Sequence, residues 1–150
     1  MGIVSDPSPE GLRPNRPPAY FWAVGLLSLL WNVWGAYIAL SAQSGSLPAL
    51  RAEDQAYFDS QPLWFVIFAD LGPFAGLAGA VALLLHSRTA MWFFVAQICI
   101  TGLANGYEVL LGRSLLLTNP DTRTASLVLA VCIAAEIAYA WFLTRRRVLY

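Results

Sequence analysis

Three carboxylates of this 150-residue chain lie inside long apolar runs: Asp70, Glu108 and Glu136. No arginine lies within those runs to neutralise them. Burial drives a carboxylate toward its protonated form. Such groups either take up and release protons, as in many carriers, or stay neutral and donate hydrogen bonds in a packed core. Neutral polar residues accompany them. Gln97, Thr101, Asn105 and Glu108 are spaced four, four and three apart, which places all four on one face of a helix. Asn32 interrupts an earlier apolar run, and Tyr139 with Cys132 shares the face of Glu136. These residues predict a polar pocket between helices, open outward, with Asp70, Glu108, Glu136, Asn32 and Asn105 at its centre and Gln97, Thr101 and Tyr139 around them. Its expected chemistry is binding of a small solute with proton coupling. The competing expectation is that the same side chains only hydrogen-bond helix to helix, typically for ~1 kcal/mol or less each.

Other chemistries are poorly supplied. The single histidine, His86, rules out a haem held by two histidines of one chain, and equally an all-histidine metal site. Cys99 and Cys132 form no C-x-x-C pair and read as small buried hydrophobes. No nucleophile has a base beside it, so no enzyme, cofactor or metal is expected. All nine basic residues are arginine, the net charge is zero, and no basic patch interleaves with aromatics. Nucleic acid is therefore not an expected partner.

The elements that must position these residues follow from composition. Hydrophobic residues make up 58% and charged residues 12% of the chain, against a charged fraction of about 25% in soluble domains. Residues 1–18 hold five prolines among polar residues and read as a disordered tail. Four apolar runs follow at about 19–42, 63–85, 91–112 and 125–144, each long enough to cross a bilayer. The first is too long for a cleaved signal and reads as a signal anchor. It opens on Tyr20, Phe21 and Trp22, an expected interfacial belt. Residues 43–62 form a polar connector in which Pro48 could open a surface helix carrying Leu50, Tyr57 and Phe58.

Pro73 removes the helical donor of the Ala69 carbonyl and predicts a kink beside Asp70. Glu108 is expected to reach the interface, paired with Arg113 or in the pocket, and Asp121 with Thr124 to cap the last helix. Small residues recur every four positions at Gly72-Gly76-Ala80, Gly102-Gly106 and Ala130-Ala134-Ala138. Such ridges allow close helix contact, and their number suggests a homodimer. Arg13, Arg16, Arg88 and Arg145–Arg147 fall on one side of the bilayer, and Arg51, Arg113 and Arg123 on the other. That bias places both termini in the cytoplasm of a bacterial inner membrane. The expected fold is all-α, an integral membrane four-helix bundle in contact with the lipid bilayer.

Trp31-Asn32-x-x-Gly35, Gln55-Ala56-Tyr57-Phe58 and Pro62-x-Trp64 resemble motifs of small bacterial four-span proteins designated sugar transporters. The resemblance runs over roughly Phe21–Arg147. It implies solute transport and brings no catalytic or binding residues of its own. Small multidrug exporters also have four spans, but they rely on a glutamate in the first, where this chain has Asn32. Two functional expectations stand: a small-solute carrier or binding protein, and a non-catalytic accessory or assembly subunit of a membrane complex.

Overall fold

The computed structural model describes residues 19–44, 56–57, 59–112 and 120–149. The Pro-rich tail, the Pro48 segment with Leu50 and Phe58, and Arg51, Arg113 and Asn119 lie outside the described residues. Four helices are long and apolar enough to cross a membrane: α1 (Ala19–Gln43), α2 (Leu63–Leu84), α3 (Thr89–Leu110) and α4 (Pro120–Arg145). The protein is an all-α four-helix membrane bundle.

Local chemistry sets the helix ends. α4 begins at Pro120, ahead of the apolar run, because proline loses no intrahelical bond at the first position. Asp121 lies within that first turn, where its charge complements the helix dipole. Thr124 does not take the expected capping position; its hydroxyl donates back to the Pro120 carbonyl at 3.0 Å. α3 also starts early, at Thr89, whose backbone N–H donates to the Ser87 hydroxyl at 3.3 Å. It stops just before Gly112, which takes the left-handed φ of +65° common after a helix C-terminus. α2 runs unbroken through Pro73.

The α2–α3 pair makes the most extensive helix–helix contact, and small residues are the reason. A Cβ on Gly72 would lie 2.9 Å from the Thr101 hydroxyl, and one on Gly79 would lie 2.8 Å from the Phe94 ring. A Cβ on Gly76 would overlap Asn32 and Gln97. The other two ridges face outward. Among the described residues, Gly102 and Gly106 have nothing within contact distance, and Ala130, Ala134 and Ala138 are exposed. Cys99 is likewise exposed rather than buried. The outer faces carry Leu27, Leu30, Trp92, Leu103 and Val131, as lipid requires.

The two ends of the bundle differ. At the end carrying the α2–α3 turn, Phe21, Leu83, Ala90, Phe94, Ala140 and Leu143 form a buried core. Phe21 points fully inward rather than joining Tyr20 and Trp22 outside. Its ring stacks on His86 at 4.7 Å between centroids. His86 adopts φ +60°, with its N–H on the Leu83 carbonyl and the Ser87 N–H on the Ala82 carbonyl, both at 2.9 Å. These two bonds close a Schellman turn. The same turn recurs at Arg147 (φ +56°) and folds Val148 and Leu149 back under the core, where Leu149 is wholly buried. Arg88 Nε donates to the Leu149 carbonyl at 3.2 Å and ties the two turns together.

The candidate functional sites

At mid-height, a polar layer joins the first helix to the last. Asn32 lies one turn after Ser28 on α1, and both are buried. The Asn32 amide donates to the Ser28 carbonyl at 2.9 Å and to Glu136 Oε1 at 2.8 Å. The Ser28 hydroxyl donates to the same carboxylate oxygen at 2.5 Å. From α3, Gln97 Nε2 donates to Asn32 Oδ1 at 3.2 Å. Gly76 of α2 leaves the space in which the two amides meet. Glu136 Oε1 thus accepts two bonds, whereas Glu136 Oε2, Gln97 Oε1 and the Tyr139 hydroxyl are buried with no hydrogen-bond partner among the described residues. A buried polar atom without a partner usually marks a bound water, ion or proton. The layer therefore has spare capacity to accept hydrogen bonds, and one carboxyl able to carry a proton.

At the end opposite the α2–α3 turn, the helices splay around a cleft of about 530 Å³. Ile38, Ala42 and Gln43 of α1, Phe65, Asp70 and Pro73 of α2, Asn105 and Glu108 of α3 and Thr122 of α4 line it. Tyr57 and Asp59 of the connector close one side. Asp70 accepts a hydrogen bond from the Gln43 side chain. Tyr57 donates to Glu108, which lines the cleft; Arg113, the other neighbour expected for it, lies outside the described residues. Burial, with the Glu108 bond and charge added, raises the Tyr57 phenol above its ordinary 10.0. Trp64 and Phe65 each lie 5.4 Å from the Tyr107 ring, bracing the start of α2 against the end of α3.

The predicted residues therefore form two groups. Asp70, Asn105 and Glu108 share the cleft; Asn32, Gln97 and Glu136 share the inner layer. Thr101 lies at Gly72, and Tyr139 one turn beyond Glu136. Ser28, Gln43 and Tyr57 enter as partners that sequence did not single out for a site. Ser28 carried a signal, being one turn before Asn32 on the same face. Tyr57, expected on a membrane-surface helix, instead lines the cleft beside Glu108; Gln43 carried none. Among the described residues, no group of histidine, cysteine or carboxylate side chains is arranged to hold a metal ion. No family model, curated protein or solved structure matches the chain.

Proposed function

We propose that the protein is a small-solute carrier or binding protein of the bacterial inner membrane that takes its ligand into the cleft. The observation carrying this reading is the cleft itself. Its volume of about 530 Å³ falls within the ~300–1,000 Å³ usual for small-molecule sites. Apolar walls from Ile38, Phe65 and Pro73 surround a few converging polar groups, Asp70, Asn105 and Glu108 among them. The arginine bias puts the α2–α3 turn and both termini in the cytoplasm, so the cleft faces outward. The resemblance to four-span sugar transporters favours transport over simple binding. Glu136, held by Ser28 and Asn32, is the group placed to couple a proton to that transport.

The test is thermal melting of the purified protein against a panel of sugars, organic amines and other metabolites at two pH values. A ligand bound only by the folded state raises the melting point with concentration. One compound is expected to do so, with the shift lost in Glu108→Gln. A panel without any shift overturns the reading.

A second reading, as a subunit of a larger membrane assembly or a homodimer, is favoured by the outward ridges. Among the described residues, nothing lies against Gly102 or Gly106, and Ala130, Ala134 and Ala138 are exposed. A stable complex recovered from membranes, abolished by Ala134→Leu, supports that reading.

A further inference from the structure

The cleft has a consistent charge character. Among the described residues, every charged residue lining it is acidic: Asp59, Asp70 and Glu108. Arg123, one residue beyond the lining Thr122, is exposed and does not line the cleft. The backbone adds to the bias. Pro73 has no N–H to offer, so the Ala69 carbonyl loses its helical donor, and both residues belong to the cleft wall. Lone pairs and negative charge therefore converge on a space that is otherwise largely apolar. Gln43, Gln61, Asn105 and Thr122 also line the cleft and could meet a hexose's hydroxyls, so it is the excess of negative charge, unmatched in a neutral sugar, that favours a cation. A charged carboxylate at the edge of a low-dielectric cleft attracts a cation more strongly than it would in water. Weakly hydrated organic cations lose least on leaving water, and aromatic rings such as those of Tyr57 and Phe65 add attraction at their faces.

Building on the cleft as a binding site, we infer that its ligand class is the lipophilic organic cation, an onium or amine head on an apolar body, rather than a neutral sugar. Asp70 and Glu108 face the positive head. The apolar stretches of α1 and α2 take the body.

The test uses the full chain in nanodiscs of zwitterionic lipid, with empty nanodiscs as the blank. Tetraphenylphosphonium and tetraphenylborate are the paired probes, since they share a shape and differ in the sign of charge. Saturable binding of the phosphonium is expected, with none of the borate. Asp70→Asn and Glu108→Gln, made singly, should each weaken it by about tenfold, the scale of one lost charge contact in a partly desolvated site. Each variant's melting point is checked against wild type, so that if one folds poorly the other still reports. Saturable binding of the borate, of both probes equally, or of a hexose that both variants lose, overturns the cation assignment while leaving the cleft a binding site. Absence of saturable binding by either probe or by any sugar overturns both.

Discussion

The two ends of the bundle are built from the same four helices and have opposite characters. One is plugged: Phe21, Leu83, Phe94 and Leu143 interlock, and Val148 with Leu149 is folded beneath them. The other is open around Asp70, Asn105 and Glu108. Between them the inner layer ties α1 to α4 through Ser28, Asn32 and Glu136. The lesson of the contrast is a division of labour. Stability resides where apolar side chains pack, and under the proposed function ligand chemistry resides where packing is given up. Under the carrier reading this conformation is open on one side only, so passage of a solute requires the plug to separate.

The largest effect is expected from breaking the plug. Phe94 is wholly buried and fills the space left by Gly79. Phe94→Ala should lower stability by about 3–4 kcal/mol, seen as a fall in melting point, while the folded fraction keeps its affinity at the cleft. Loss of cleft binding in that folded fraction would show that the two ends are not separable.

A smaller loss is expected in the middle. Asn32→Ala strips a donor from Glu136 and an acceptor from Gln97, and should cost about 1–3 kcal/mol for the buried groups left unpaired. Thermal melting of Asn32→Ala and Glu136→Gln, singly and together, checks this. Additive losses would refute direct coupling of the two side chains.

The smallest effect belongs to the open end and depends on pH. Tyr57 holds its proton more tightly in the folded protein than the ordinary value of 10.0, because it is partly buried and bonded to Glu108. A raised pKa contributes stability that is complete below the unfolded value and is lost as pH rises through the folded one. Wild type should therefore lose stability above pH 10 by a margin that Tyr57→Phe does not show. Parallel melting curves of the two proteins at pH 9 and pH 11 would contradict it.

Direction was legible in the sequence; depth was harder. Asn32 and Gln97 had to face inward because a bare amide is costly in lipid, and both are almost fully buried. The face shared by Gln97, Thr101, Asn105 and Glu108 is one stripe on α3, but its ends serve different places. Gln97 and Glu108 are eleven residues apart, or ~16 Å along the axis, which is enough to put one in the inner layer and the other in the cleft. Periodicity alone does not say where a stripe divides. The small-residue ridges show a similar limit: Gly72 and Gly76 read the same as Gly102 and Gly106, yet only the first pair meets a neighbour. The fold-back of Val148 and Leu149 was hidden because its turn residue is Arg147 rather than a glycine.

The bond between Asn32 and Glu136 also bears on how the protein is made. Its partners are separated by 104 residues, and Ser28 stands 108 from the same carboxylate. α2 and α3, joined by the tight turn at His86, are able to enter the bilayer together as a hairpin. Asn32 must then wait through synthesis of two further helices and much of a third before its carboxylate partner emerges. During that interval the amide has the Ser28 carbonyl of its own helix and, once α3 is in place, Gln97 as partners, and α4 adds the carboxylate by its arrival. The fourth helix is thus the one that completes the inner layer, through Glu136.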